Sequence, residues 1–234
     1  MKIRIKRKKQ VISEAAKGPI DLPKSHYVKV SYDPGEAYVV EYKQLAPSDQ
    51  KIEGIVSIEK SDLDWSDCVK NSYTVVKSEA EKGWGPMLYD IAMELIGSRE
   101  GAMLVSDRDL VSTDAKNVWD FYNDNRTDTQ IKQLDIDRDG LAGFYGKDDK
   151  KWPFKQLTPK DTSDDCSQNS SLYWAVGKGD WKIHKLKDQR KAVKTNPDKA
   201  KDWHKQSISK GYFQKDISTV DQLMKTKQIK FIRG

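Results

Sequence analysis

The sequence predicts an α/β protein of the α+β type, in which helices flank a central sheet. Three observations lead to this fold class. Runs of β-branched and aromatic residues, separated by turn residues, recur between residues 26 and 76 and are typical of strands. A strand, a glycine-containing turn and a helix follow one another in residues 73–97. A second strand and a second helix follow in residues 101–122, and the 234 residues are enough to bury a substantial core.

The first two strands form a predicted hairpin. Residues 26–32 and 37–42 are rich in valine and tyrosine, and the turn residues 33–35 lie between them. Residues 52–58 predict a third strand. We expect it to lie beside a fourth strand, which contains the β-branched residues 74–76.

A helix is predicted to begin near Pro86, because a helix tolerates proline in its first turn, where the missing N–H has no acceptor. Apolar residues then recur at helical spacing, namely Met87, Leu88, Ile91, Leu95 and Ile96. Gly97 follows the last of them and is expected to end the helix. One face of this helix should be buried.

The turn before this helix contains two glycines. A glycine turn that leads into a helix N-terminus presents backbone N–H groups, and the positive end of the helix dipole, to an anion. The pattern predicts a phosphate or pyrophosphate site, in which the charge of Lys82 adds attraction. An ordinary tight turn between a strand and a helix is the alternative. The backbone groups of this site, apart from the proline nitrogen, are those of Lys82, Gly83, Trp84, Gly85, Pro86 and Met87.

This part of the chain resembles the GNAT superfamily of N-acetyltransferases, whose acetyl-CoA loop reads Arg/Gln-x-x-Gly-x-Gly/Ala between a strand and a helix. Residues 80–86 match the two glycines of that loop, but Ala80 stands where Arg or Gln is usual. Residues 115–119 lie where the family often has Ala-x-x-Leu-Tyr, and Trp119 stands at the position of the tyrosine. The resemblance covers about residues 26–135 and extends in particular to the acetyltransferase-like proteins of bacteriophages.

The resemblance implies a mixed, mostly antiparallel sheet flanked by helices, with acetyl-CoA as cosubstrate. It also implies acyl transfer to an amine of a small molecule or of a protein. The backbone N–H groups of Val75, Val76 and Lys77 are then the candidates that stabilise the oxyanion. Tyr122, near the position of Trp119, is the candidate general acid, and a purely structural tyrosine is the alternative.

Two further segments are candidates for the acceptor side of the site. Glu59, at the end of the third strand, is the candidate general base, and a solvated surface glutamate is the alternative. The segment Ser106-Asp107-Arg108 is expected to border the acceptor cleft or to form a loop tied by an Asp–Arg pair. The alternative function is a catalytically inactive GNAT-fold module that engages a host protein or nucleic acid.

Charge and composition divide the chain into three parts. Residues 1–25 are predicted as a basic arm, residues 26–145 as a GNAT-like acyl-CoA-binding domain, and residues 146–234 as a loop and a basic C-terminal extension. The net charge is +6, and residues 1–19 and 180–234 carry +6 and +9, which leaves −9 between them. The basic ends predict a polyanion or a host protein as a partner, with plain solvation as the alternative.

The extension is predicted to pack on the domain or to be tethered to it. Residues 172–176 favour a strand that returns to the sheet. Short basic helices are predicted over residues 181–193 and 198–206, and another helix over residues 220–226.

An acidic turn precedes the extension. Asp135, Asp137 and Asp139 begin the pattern of a calcium-binding loop, but Gly146 stands at the twelfth position, where that loop has a bidentate glutamate. This difference favours a solvated acidic turn, and we predict no metal site.

Composition argues against several classes of protein. No stretch is long and apolar enough to predict a membrane span, and the N-terminus lacks the apolar run of a secretory signal. Cys68 and Cys166 have no metal-type spacing and form no disulfide framework, so we expect both to be unpaired. These observations predict a soluble protein of a reducing cytoplasm, the host cytoplasm if the chain is encoded by a phage.

Overall fold

An eight-stranded sheet forms the centre of the protein in the computed structural model, which describes residues 16–44, 51–61, 71–137, 154–179 and 185–234. The strands lie in the order β10-β1-β2-β3-β4-β5-β9-β6, and β7 pairs with β8 separately. Within the large sheet, β10 with β1 and β4 with β5 are parallel, and the other pairs are antiparallel. The strands are β1 His26–Asp33, β2 Ala37–Gln44, β3 Ile52–Lys60, β4 Ser72–Ala80, β5 Met103–Val105, β6 Gln130–Gln133, β7 Asp135–Ile136, β8 Asp165–Cys166, β9 Lys210–Phe213 and β10 Ile229–Arg233.

Helices flank this sheet. The main core cluster joins side chains of β1 to β5 with those of the first two helices and the last one. A second cluster joins the helices between residues 169 and 205. The helices are α1 Gly85–Glu100, α2 Thr113–Asn125, α3 Asn169–Ala175, α4 Leu186–Thr195, α5 Pro197–Ala200 and α6 Ser218–Lys225, with short 3-10 turns at Pro19–Asp21, Lys201–Lys205 and Ser207–Ser209. The predicted mixed, mostly antiparallel sheet with flanking helices is confirmed at this level.

The four strands predicted over residues 26–76 are present as β1 to β4. Val28, Val40, Val56 and Ile58 point to the same side of the sheet and are buried under α1. The predicted hairpin is present, because β1 and β2 pair from His26 opposite Gln44 to Asp33 opposite Ala37. The tight turn leaves no room for helices between these two strands.

Residues after 200 complete the sheet. Strand β9 lies between β5 and β6, and β10 lies beside β1. Residues 146–234, expected as an extension, therefore contribute two strands to the same sheet as residues 26–133.

The strand predicted over residues 172–176 is wrong, because this segment lies within and just after helix α3. Leu172, Tyr173 and Val176 are buried at helical spacing and belong to the second core cluster together with Val193 and Trp203. Packing against other helices, and not against the sheet, selects the helical conformation of this apolar run.

The predicted end of α1 is also wrong. The helix continues through Gly97 to Glu100 and ends at Gly101, whose φ of 64° lies in the left-handed region that favours glycine. A Cβ atom at Gly97 would lie 1.9 Å from the carbonyl oxygen of Gln214. Gly97 is therefore present because another segment of backbone packs directly on the helix.

The prediction of unpaired cysteines is wrong for Cys166, which is fully buried and disulfide-bonded. Cys68, the only other cysteine of the sequence, lies outside the described residues. Since disulfides are typical of oxidising compartments, the cysteines give no support for a reducing cytoplasm. Across the described ranges, no helix is both long enough and apolar enough to span a membrane.

Candidate functional site

A cleft opens where β5 leaves β4. The two parallel strands pair only from Ser72 to Thr74 on β4, although β4 continues to Ala80. Past Thr74, the chain after β5 turns away from β4 and leads into α2. A cavity of about 1050 Å³ lies between β4 and α2. Its walls come from β3, β4, the glycine turn, the start of α1, residues 107–112 and the first half of α2. Parallel strands that separate in this way leave backbone groups of β4 facing the cleft without a neighbouring strand.

Strand β4 carries a β-bulge at the edge of this cleft. Lys77 pairs with Ser57 and Val75 pairs with Ile58, so Val76 has no opposite residue on β3. A bulge leaves one residue outside the regular ladder and turns its backbone and side chain toward a new direction. Val75, Val76 and Lys77, the predicted oxyanion candidates, all line the cleft at this point.

The glycine turn closes one end of the cleft. Gly83 has a φ of 92°, which a residue with a side chain adopts only with strain. The Trp84 side chain is buried beneath the turn, with its ring 4.8 Å from that of Tyr42 and the Lys17 amine 4.8 Å above it. The backbone N–H of Lys17 also donates to the Gly83 carbonyl at 2.9 Å. These contacts hold the turn against the sheet, while the first N–H groups of α1 have no acceptor within the helix.

Seven of the nine predicted cofactor-binding residues line the cleft. These are Val75, Val76, Lys77, Lys82, Gly83, Gly85 and Pro86. Trp84 and Met87 do not, because both side chains are buried in the main core cluster. The backbone groups of the turn were predicted from the glycine pattern alone, and that segment does border the cavity.

Tyr122 does not lie in the cleft. Its side chain is fully buried, and its hydroxyl donates to the Pro86 carbonyl at 2.9 Å and to Asp90 Oδ1 at 2.7 Å. Burial, and then the nearby Asp90 carboxylate, raise the pKa of Tyr122 well above its usual value. We therefore do not retain Tyr122 as the general acid, because its proton is engaged in a structural network that also contains Arg126.

Glu59 is also outside the cleft wall. It lies near the end of β3, opposite Ala37 on one side and Thr74 on the other, and its side chain is partly exposed. The cavity is bordered by Ile55 and Val56 of the same strand, which lie nearer the glycine turn. The alternative of a solvated glutamate agrees with this position.

Asp107 is one of the carboxylates of the cleft, and it belongs to the segment that was expected to border the acceptor side. It lines the cavity, and its Oδ1 accepts from the backbone N–H groups of Asp109 and Leu110 at 2.8 and 2.9 Å. Burial raises the pKa of Asp107 above its usual range, and these two hydrogen bonds partly oppose the rise. A carboxyl group with a shifted pKa in a cleft is a candidate for proton transfer.

The segment around Asp107 is held by a buried arginine. Arg108 donates to the carbonyls of Ser106 and Ile208, each at 2.8 Å, so the expected Asp–Arg tie is replaced by an arginine that binds backbone. Burial lowers the pKa of Arg108 to about 10. This contact connects the cleft wall to the segment just before β9.

The charges around the cleft have both signs. Lys77 and Lys82 are the two lysines of its lining, and the carboxylates are those of Glu79, Glu81, Asp107 and Asp114. Binding of a strongly anionic ligand would therefore depend on the backbone N–H groups of the glycine turn and on these two lysines.

The acidic turn lies apart from this cleft. Asp135 is buried, and its carboxylate accepts from the N–H groups of Ile136, Leu157 and Thr158 at 2.7 to 2.8 Å. Carboxylate oxygens of Asp135, Asp164 and Asp165 lie within 4.8 Å of one another. Asp139 and Gly146 of the calcium pattern lie outside the described residues. The Asp135 carboxylate acts as a structural acceptor that orders the segment after residue 154.

Comparison with models of protein families, with curated proteins and with solved structures found no match to this chain. A functional assignment therefore depends on the geometry of the cleft and on the motifs that border it.

Proposed function

We propose that the protein binds an acyl-CoA thioester in the cleft between β4 and α2. The acyl group, an acetyl group in the first instance, is transferred to an amine of a small molecule or of a protein. One observation carries this proposal: β4 separates from β5 at a bulge, and the resulting cavity extends from Val76 to the glycine turn at the start of α1. This arrangement supports the GNAT resemblance of the sequence.

The two ends of the cleft suit the two ends of such a ligand. The N–H groups of the glycine turn and the helix dipole of α1 suit the pyrophosphate, and Lys82 adds a positive charge. At the other end, the backbone near Val76 faces the cleft and suits the carbonyl oxygen of the thioester, where negative charge develops during attack. Holding the thioester and the amine together supplies much of the rate enhancement in such a reaction.

Asp107 is the proposed general base. As the C–N bond forms and the C–S bond of the thioester breaks, the amine loses a proton, which the Asp107 carboxylate accepts directly or through one water molecule, and the departing thiolate takes its proton from solvent. A raised pKa makes this carboxylate a stronger base than an ordinary surface aspartate, and Asp107 is ionised above its own pKa. Asp107 replaces Glu59 in this role because it lines the cavity and Glu59 does not.

Turnover tests this proposal. The purified protein is incubated with acetyl-CoA and a panel of primary amines, including polyamines and a lysine-containing peptide, and release of free thiol is followed. We expect amine-dependent thiol release that Asp107→Asn reduces strongly. The absence of amine-dependent release across the panel, in a protein that binds acetyl-CoA, would favour a module that binds without turnover.

A second candidate function is that of a binding module for a polyanion, which the surface of α4 favours. Lys187, Lys191 and Lys194 recur at helical spacing on one exposed side of this helix. In the described part of the chain, none of the three forms an ion pair. Lys187 lies in the first turn of α4, where the helix dipole disfavours a cation. The presence of a lysine at this position is therefore not explained by helix stability. Residues 1–15 of the basic arm lie outside the described residues.

Salt dependence tests the second candidate. If the lysines bind the phosphates of a nucleic acid, affinity for a 20-nucleotide RNA should fall steeply between low and physiological salt. The variant with Lys187, Lys191 and Lys194 all changed to Gln should show a lower affinity and a smaller salt dependence than the wild type. An affinity that the triple substitution leaves unchanged would remove this surface as the binding site.

A further inference from the structure

One side chain in the cleft wall carries a hydrogen-bonding group that the protein itself does not use. Tyr89 lies in the second turn of α1, lines the cleft and is 2% exposed. Its hydroxyl has no hydrogen-bond partner among the described residues. A buried donor without a partner is unfavourable for the protein alone, so a partner from outside the chain would explain it.

Other buried tyrosines of the core have engaged hydroxyls. Tyr38 and Tyr73 both donate to the Glu100 carboxylate, and Tyr122 donates to Pro86 and Asp90. Tyr212 donates to the Ser207 carbonyl at 2.8 Å. Tyr89 differs from these four in having no acceptor within the core and in lining the cavity.

The position of Tyr89 along the cleft follows from its neighbour on β4. Burial raises the pKa of Tyr89 to about 12, and the Ser78 hydroxyl on β4, the nearest hydrogen-bonding neighbour, lowers it, but the contact between the two hydroxyls falls outside hydrogen-bond geometry. Ser78 lies two residues beyond the bulge at Val76 and four residues before Lys82. The Tyr89 hydroxyl therefore lies beside the part of β4 between the bulge and the glycine turn, at the middle of the cleft wall.

We propose that the Tyr89 hydroxyl donates a hydrogen bond to the middle part of the ligand, between its acyl group and its phosphates. In an acyl-CoA this part is the amide-containing arm that carries the thioester, so the inference rests on the proposed function for the identity of the ligand. Because the Tyr89 hydroxyl has almost no accessible surface, this contact requires the exposed Ser78 side chain to rotate away from it. Trp119 packs edge to face on the Tyr89 ring and holds it in place.

A role in binding fits Tyr89 better than a role as general acid. An ordinary thiol has a pKa of about 8.5. A tyrosine with a pKa of about 12 holds its proton more tightly than the departing thiol does, so complete transfer to the thiolate is unfavourable. At neutral pH the hydroxyl stays protonated and acts as a donor. We therefore expect an effect on the affinity for the ligand and on KM, with little effect on kcat.

The test compares Tyr89→Phe with the wild type in calorimetric titrations of two ligands. The ligands are acetyl-CoA and 3′-phosphoadenosine 5′-diphosphate, the nucleotide half that lacks the arm. Loss of one neutral hydrogen bond should weaken binding of acetyl-CoA roughly two- to tenfold. Binding of the nucleotide half should not change. The melting temperature of Tyr89→Phe should equal or exceed that of the wild type, because the lost hydroxyl has no protein partner.

Tyr122→Phe is the matched control, because it removes a hydroxyl from the same core that has two protein acceptors. It should lower the melting temperature and leave the ratio of the two affinities unchanged. If wild type binds acetyl-CoA and Tyr89→Phe binds both ligands as wild type does, the inference is wrong and the proposed function stands. If Tyr89→Phe weakens both ligands equally, the contact with the arm is also wrong. If wild type does not bind acetyl-CoA, the proposed function fails, and this inference fails with it.

Discussion

The ring of Tyr89 meets the ring of Trp119 edge to face, with 5.2 Å between their centroids. Trp119 also packs on Tyr212 of β9, at 5.0 Å. The stack therefore joins α1, α2 and a strand from the last quarter of the chain at the wall of the cleft. Because aromatic contacts of this kind stabilise a fixed geometry, the shape of the cleft depends on residues after 200 as well as on the segments that line it.

Asp107→Asn should change how activity depends on pH. Burial raises the pKa of Asp107 above the ordinary value of 3.8, and the base must be ionised to accept a proton. In wild type, kcat/KM should therefore rise with pH, with a midpoint above 3.8, and the Asn variant should lose this rise together with roughly 100- to 10,000-fold in rate. Asp198→Asn, an exposed position, is the control and should retain the wild-type profile. A wild-type profile retained by Asp107→Asn would exclude Asp107 as the base.

The same substitution should change how stability depends on pH. A raised pKa in the folded state means that the folded protein binds this proton more tightly than the unfolded chain does. The contribution of Asp107 is therefore fully present below about pH 4 and is lost as the pH rises through the folded-state pKa. The free energy of unfolding of wild type, relative to Asp107→Asn, should fall over that interval, as urea titrations at several pH values would measure. A relative stability that rises with pH would contradict the buried position of this carboxyl.

Gly97→Ala should destabilise the protein although alanine favours helices. The new Cβ would lie 1.9 Å from the Gln214 carbonyl oxygen, so α1 or the segment before α6 must shift. Overpacking of this kind costs about 1–3 kcal/mol of unfolding free energy. Ser98→Ala, at the exposed next position of the same helix, should change it by less than about 0.5 kcal/mol. Equal unfolding midpoints for the two variants in urea would contradict the close contact between α1 and Gln214.

The Glu94 side chain of α1 should be a major contributor to the stability of the contact between α1 and α6. Its fully buried carboxylate accepts from the backbone N–H groups of Thr219 and Val220, at 2.9 and 2.8 Å, at the start of that helix. Glu94→Ala leaves two buried donors without an acceptor, which should cost about 2–5 kcal/mol. Glu94→Gln retains one acceptor oxygen in the same shape and should be less harmful. Hydrogen exchange should show faster exchange of the α6 amides in the alanine variant, and unchanged exchange there would contradict this role.

Parts of the fold with a local pattern were predicted from the sequence. The runs of β-branched and aromatic residues in residues 26–58 predicted the first three strands, because such residues suit a partly buried sheet and residues 33–35 suit the turn. The second predicted helix is present as α2, and the Ser112 side chain caps its start by accepting from Ala115 N. In both cases the deciding interactions lie within a few residues of one another.

Features that depend on distant segments were not predicted. Gly97 looks like a helix terminator until the Gln214 backbone is known to pack on it. The run from Leu172 to Val176 suits a strand by composition, and only its packing on α4 and the turn at Trp203 makes it helical. Strand β10 was not predicted either, although Ile229 and Phe231 alternate inward and pack against the main core cluster.

The residues of the candidate site also divide into those that a local sequence pattern predicts and those whose position depends on distant segments. The glycine turn was predicted because its pattern is local, and it borders the cavity. Tyr122 was expected near the cleft because it lies about one helical turn beyond Trp119, yet its acceptors, Pro86 and Asp90, lie on another helix. Tyr89 was missed, because nothing in the sequence shows which hydroxyl of the core lacks an acceptor.

Titration of Gly85 variants with acetyl-CoA tests the central claim, that the cleft binds an acyl-CoA at the glycine turn. A Cβ atom at Gly85 would lie 3.6 Å from Val118 Cγ2, an ordinary contact, so the backbone accepts a side chain there. A glutamate at the first position of α1 should not unfold the protein, since a carboxylate near a helix N-terminus is stabilising. Calorimetry should show saturable binding for wild type, weaker binding for Gly85→Gln through steric overlap, and none for Gly85→Glu through added charge repulsion. Absence of binding to wild type at millimolar acetyl-CoA, or equal affinities for all three proteins, would contradict the claim.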